Sequence, residues 1–255
     1  MTVSPKDAVL ELDAVTVRFG GLIAVDGISL TVEPGARWAV IGPNGAGKTT
    51  LFTTVAGERY PTSGRVRMFG RDVTRTPSHR RARRGLGRTY QVTNVFPRLT
   101  VVENVAVAAA AAAPGRLRFW WPGRPDGHAD ETLEQCGLAS RRDHLAGELS
   151  HGEQRQLELA IALAARPRLL LLDEPAAGLS AAERVLIRDL VRALPEGMSV
   201  LLIEHDIDLA LDLVDQVLCM DNGEPIATGT PAEIRANEHV QAVYLRTDGD
   251  GEAEH

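Results

Sequence analysis

The chain has 255 residues, of which 44% are hydrophobic and 24% charged, and its formal net charge is −6. That length can bury a sizeable core in one large domain or two modest ones, and the acidic balance counts against nucleic acid as a partner. The longest apolar run, Val105–Ala113, is nine residues, too short to cross a bilayer, and Met1–Leu10 does not read as a signal peptide. Cys136 and Cys219 stand 83 residues apart, which fits neither a disulfide framework nor a metal cluster and suits a reducing cytosol. Of 28 basic residues only Lys6 and Lys48 are lysine.

Along the chain, residues 9–36 alternate apolar and polar (Leu10, Leu12, Val15, Val17, then Ile28, Leu30, Val32) and predict antiparallel strands. Trp38–Ile41 predicts a buried strand, and Lys48–Ala56 a helix closed by Gly57. Between them, Gly42-Pro43-Asn44-Gly45-Ala46-Gly47-Lys48-Thr49-Thr50 fits G-x-x-x-x-G-K-[ST]. A strand, a glycine loop and a helix start turn successive amides toward a phosphate, so this segment is read as a nucleoside triphosphate site. Asn44, Gly45, Ala46 and Gly47 form the cradle. Lys48 reaches the β and γ phosphates, Thr49 places its hydroxyl on Mg²⁺, and Thr50 adds a donor.

From Arg65 to Arg98 there are ten arginines and one acid, giving about +9 against about −15 for the rest of the chain. The segment reads as a solvated helix face or as a docking surface for a membrane partner; missing interleaved aromatics count against nucleic acid. Residues 92–167 turn Ala-rich and helical, broken by Pro114-Gly115 and by Trp121-Pro122-Gly123-Arg124-Pro125. Leu169–Leu172 predicts a central strand ending in Asp173-Glu174, and Val200–Ile203 another ending in Glu204-His205-Asp206. In that position Asp173 holds Mg²⁺ through water, Glu174 orients the attacking water as base, and His205 contacts the γ-phosphate. Asp248–His255 reads as a disordered acidic tail.

Together with Leu149-Ser150-His151-Gly152-Glu153-Gln154, these motifs resemble the ATP-binding cassette (ABC) family, the ATPase subunits of ABC transporters. The hexapeptide is similar to the family signature L-S-G-G-Q, with His151 and Glu153 departing from it. The resemblance implies an α/β P-loop NTPase fold: a RecA-like core, an antiparallel β subdomain and a helical subdomain. The implied divisions are 1–91 for the β subdomain and first part of the core, 92–167 for the helical subdomain, 168–247 for the rest of the core and 248–255 for the tail. It further implies that Phe19 stacks on adenine and that Gln91 touches Mg²⁺ and the attacking water. Ser150 and Gly152 of one cassette then complete the ATP site of a second. Ala176–Ser180 falls on the D-loop, with Ser180 where many members have Asp.

Four stretches resemble the larger ATPase of branched-chain amino-acid importers: Arg88–Gln91, Leu99–Val105, Asp173–Leu179, and Thr230–Ile234 through Val243–Leu245. Urea importers and the lipopolysaccharide-export ATPase share much of this wording. The expectation is an Mg·ATP-hydrolysing subunit at the cytoplasmic face of the inner membrane, paired with a second cassette, docked on permease subunits and served indirectly by an extracytoplasmic substrate-binding protein. A soluble ABC protein of ribosomes or DNA is the competing class, but such chains usually carry two cassettes. A small-metabolite kinase leaves Leu149–Gln154 without an account.

Overall fold

The computed structural model describes residues 8–89, 95–112 and 127–250. Gln91, the Trp121–Pro125 interruption and the last five residues of the expected tail lie outside them. The chain divides into two compact units, Met1–Arg81 with Glu196–His255, and Ala82–Pro195.

The first unit opens with β1 (Leu10–Phe19), β2 (Leu22–Val32), β3 (Arg37–Ile41), α1 (Lys48–Ala56), β4 (Ser63–Met68) and β5 (Arg71–Asp72). The expected alternation becomes the register of an antiparallel pair: Leu10 faces Val32, Leu12 faces Leu30 and Val15 faces Ile28, all buried. With β4 and β5 it forms a four-stranded sheet, ordered β2-β1-β4-β5. After α2 (Ser78–Ala82) come, in the second unit, β6 (Leu86–Arg88), α3 (Val101–Ala112), α4 (Gly127–Gln135), α5 (His151–Ala164), β7 (Leu169–Asp173) and α6 (Ala181–Arg192). The first unit resumes with β8 (Ser199–Ile203), α7 (Ile207–Leu213), β9 (Gln216–Asp221), β10 (Glu224–Gly229), α8 (Pro231–Ala236) and α9 (Glu238–Asp250). Asp248–Asp250, expected in the tail, are therefore helical.

In the first unit β3 lies between β8 and β9, parallel to both, and β10 pairs antiparallel with β9. Every residue of β8 is buried, which is why Val200–Ile203 reads as continuous apolar sequence rather than alternation. Val40 pairs with Ile203, and Ile41 with Cys219. The loop after β3 and the turn after β8 therefore leave the same carboxyl edge of the sheet. In the second unit β6 and β7 are parallel, and α3, α4 and α5 pack on one another, with Val105, Leu133 and Leu157 buried. Among the described residues no helix is long and apolar enough to cross a membrane.

The arginine-rich segment is not one surface. Arg81 is fully buried, and its guanidinium donates to the carbonyls of Thr54 (2.8 Å) and Val55 (2.7 Å) in the last turn of α1, and to Thr76 (2.8 Å) and Val73 (2.7 Å). Arg67 pairs with Glu11 at 2.7 Å, while Arg65, Arg71, Arg80, Arg83, Arg84 and Arg98 are exposed. Gly57 closes α1 at φ 81°, and a Cβ there would lie 2.6 Å from Arg81 Nε, so both backbone freedom and space demand glycine. Arg81→Met keeps most of the side-chain volume but strands these carbonyls. It should lower unfolding stability by about 3 kcal/mol or more in urea titration; a loss below about 1 kcal/mol would show that water replaces the guanidinium.

Candidate functional site: a phosphate loop and two capped helices

The loop Gly42–Gly47 is built from glycines that no other residue replaces cheaply. Gly42, Gly45 and Gly47 sit at φ 151°, 83° and 96°. A Cβ on Gly47 would run into the Ala24 carbonyl, and one on Gly42 into the Met220 carbonyl. Gly47 is the N-cap of α1 and offers no side-chain cap, and no acid stands in the first turn. Other helices here are treated differently. Ser150, Ser180 and Thr230 cap α5, α6 and α8 in capping boxes with Glu153, Glu183 and Glu233, and Asp206 caps α7. The N-cap of α1 thus brings no side-chain acceptor to a helix start that carries the positive end of the helix dipole. Lys48, only 7% exposed, folds back and donates from Nζ to the carbonyls of Gly42 (2.6 Å) and Pro43 (2.9 Å). Thr49 is exposed beside it.

His205 follows β8 at the same sheet edge, with an exposed imidazole. Glu204 beneath it is buried and accepts the backbone N–H of His205 (3.1 Å) and Asp206 (3.3 Å), which fixes the turn. Phe19, at the end of β1, leaves 41% of its surface exposed, and the Arg59 guanidinium stands 4.2 Å from its ring centroid. From the other direction Tyr244 of α9 brings its phenol near Cys219 and the Gly42 amide, and burial pushes its pKa up. Burial likewise raises Cys219 to about 11 and Cys136 to about 12, so both thiols stay protonated at neutral pH.

In the second unit, Asp173 ends β7 in a buried position. Its carboxylate lies 3.5 Å from Arg88, and its N–H donates to the Thr89 hydroxyl at 3.3 Å. Glu174, next in the chain, holds φ 46°, a left-handed conformation uncommon for glutamate. Ser150 caps α5: its hydroxyl accepts from the Glu153 N–H at 3.2 Å, and its own N–H donates to the Glu153 carboxylate at 2.9 Å. These bonds, with Arg141 at 2.6 Å, hold Glu153 below the usual carboxylate range. The departure at Glu153 thus has a function: it supplies the acid of a capping box. Ser180 plays the matching part for α6, donating its N–H and hydroxyl to Glu183 at 2.9 and 2.6 Å.

Sequence reading missed the Arg88–Asp173 pair and the buried Arg155–Glu158 pair at 2.8 Å. The i,i+3 spacing of the latter was its only visible signal. Phe19, the loop, Lys48–Thr50 and His205 all lie in the first unit; Asp173, Glu174, Ser150 and Gly152 lie in the second.

Residues 25–177 match the ABC transporter family, and residues 224–245 match the branched-chain amino acid ATP-binding cassette transporter family. The chain belongs to the ABC transporter family. This cassette is 40% identical over 248 residues to the high-affinity branched-chain amino acid transport ATP-binding protein BraF of Pseudomonas aeruginosa, covering 93% of this chain and 97% of that one. It is 36% identical to LivG of Escherichia coli, of the same description, at 92% and 97% coverage. The lipopolysaccharide export system ATP-binding protein LptB of Haemophilus influenzae is 37% identical, at 87% and 90%. Among solved structures, the ADP conformation of an ATP-binding cassette of an ABC transporter matches with TM-score 0.83 and 29% identity, covering 93% of this chain and 98% of that one. As a member of this family the cassette is an ABC-type ATPase with the P-loop cassette fold.

Gly47→Ala should distort the loop against Ala24. Equilibrium titration with a fluorescent ATP analogue should show affinity reduced more than tenfold, since about 1–3 kcal/mol of strain adds to a displaced helix start. Wild-type affinity in that variant would mean that the loop remodels freely.

Proposed function

We propose that this cassette is the ATP-hydrolysing subunit of a branched-chain amino-acid importer. It works as one of two cassettes on permease subunits at the cytoplasmic face of the inner membrane, with an extracytoplasmic binding protein delivering cargo. The observation that carries the ATPase reading is the start of α1, without a capping side chain beside helices that have one. A phosphate supplies the acceptor that a glycine cap does not bring. The cargo assignment is supported by BraF and LivG and by the match over residues 224–245, which favours branched-chain amino acids over the exporter LptB.

In this reading Asn44, Gly45, Ala46, Gly47 and Thr50 give the phosphates their backbone and hydroxyl donors, and Lys48 exchanges the Gly42 and Pro43 carbonyls for phosphate oxygens. Phe19 offers its exposed ring to adenine. Thr49, Asp173 and Gln91 would hold Mg²⁺ in this reading, since a hydroxyl, a carboxylate and an amide oxygen are hard donors of the kind the ion prefers. When bound, Mg²⁺ neutralises charge on the phosphates. Glu174 orients the attacking water and takes its proton, and His205, held by the buried Glu204, donates to the γ-phosphate. Ser150 and Gly152 serve the ATP of the opposite cassette, so a lone cassette has half a site. Closure of two cassettes over two ATP molecules then drives the permease.

Glu174→Gln should bind ATP, pair and lose hydrolysis by about 10²-fold or more in a phosphate-release assay. Turnover at the parental rate would remove Glu174 as the base. Cargo is tested in liposomes holding the cassette with its permease subunits: a binding protein loaded with leucine should stimulate ATPase activity. Stimulation by another solute and none by leucine would reassign the cargo.

A further inference from the structure

The N-terminus of α5 already touches an anion belonging to this chain. Glu183, the third residue of α6, uses Oε2 to accept from the N–H and hydroxyl of Ser180 at 2.9 and 2.6 Å. Its other oxygen leaves this cap and meets α5. A Cβ on Gly152 would collide with Glu183 Oε1 and lie 2.9 Å from both Cδ and Cγ. The Ser180 bonds, with lesser help from the nearby Gly152 amide and His151, lower the Glu183 pKa below the usual carboxylate range. Gly152 is buried, and the absence of a Cβ there lets the Glu183 carboxylate lie against the first turn of α5.

We infer that Glu183 is a resident anion of the signature helix, which has to leave Gly152 before the γ-phosphate of a partner cassette's ATP can take that amide. The inference rests on the reading that two cassettes pair over ATP. Glu183 touches no reacting atom in this account; it is a positioning residue that makes pairing a replacement of one anion by another. It also joins the start of α6, directly after the D-loop residues Ala176–Ser180, to the start of α5, so one side chain governs both helix ends.

Because the two carboxylate oxygens serve different partners, mutation separates them. Glu183→Gln keeps the shape and removes the charge. Glu183→Asp keeps the charge and a capping acid at the third position but is one methylene too short to span both contacts. Ser180→Ala weakens the α6 cap and leaves Glu183 ionised. In the full-length Glu174→Gln cassette, the ATP concentration for half-maximal pairing would be followed by light scattering. Both Glu183 variants should lower it by about two- to fivefold, the size of a helix-terminus charge interaction, whereas Ser180→Ala should not. Nucleotide affinity of the unpaired cassette should stay unchanged in all three. Amide exchange at Gly152 in the nucleotide-free protein should speed up in Glu183→Asp, a readout that does not depend on pairing. A pairing midpoint unchanged or raised in both Glu183 variants, or an unaltered Gly152 exchange rate, overturns the inference. If the Glu174→Gln parent never pairs while the Gly152 contact responds as expected, the two-cassette reading falls and takes the resident-anion role with it.

Discussion

The loop and strands around α1 depend on how the first turn of that helix is satisfied. A helix begins with several amides that have no partner inside the helix, and the usual remedy is a serine, threonine or aspartate at the N-cap. This chain uses that remedy at α5, α6, α7 and α8 and puts a glycine at φ 96° before α1. The glycine is forced by the close Ala24 carbonyl and by its positive φ. Lys48 donates its ammonium to the loop carbonyls of Gly42 and Pro43. Arginine, with a broad planar fork, suits carboxylates and surfaces, while a slim ammonium with three rotatable donors can turn from carbonyls to phosphate. A chain that otherwise writes almost every cation as arginine keeps lysine there.

Much of this was legible in the residues. The alternation in residues 9–36 mapped onto the β1–β2 register, the apolar run Val200–Ile203 onto a strand buried throughout, and Lys48–Ala56 onto α1 with Gly57 at its end. These succeed because periodicity and glycine chemistry are local. What could not be read depends on partners far apart in the chain: Arg81 with Thr54, Arg88 with Asp173, and Glu183 with Gly152. A count of charge along the sequence treats Arg81 and Arg80 alike, yet one is a fully buried structural cation and the other a solvated one. The docking surface suggested by the +9 segment therefore loses part of its charge to the interior and to the pair with Glu11.

Two departures from the family pattern, Glu153 in the signature and Ser180 at the end of the D-loop, each close a helix start. Glu153 is the acid of a capping box and is steadied by Arg141, so it stiffens the start of α5. Ser180 repeats the device at α6 with Glu183. Two helix starts in one unit are thus closed by the same serine–glutamate grammar, and the second glutamate reaches across to the first helix.

Arg81 gives α1 a property that its length alone would not. A helix dipole normally presents opposite partial charges at its two ends, and at a distance they largely cancel. Here the carbonyl end is covered by a permanently protonated guanidinium sealed from solvent, and the amide end stays bare of counter-charge from any capping side chain. Seen from the loop, α1 no longer behaves as a dipole but as a one-signed source, whose attraction for an anion decays more slowly with distance. Since a guanidinium does not titrate in the physiological range, that polarity is fixed into the fold and is indifferent to pH.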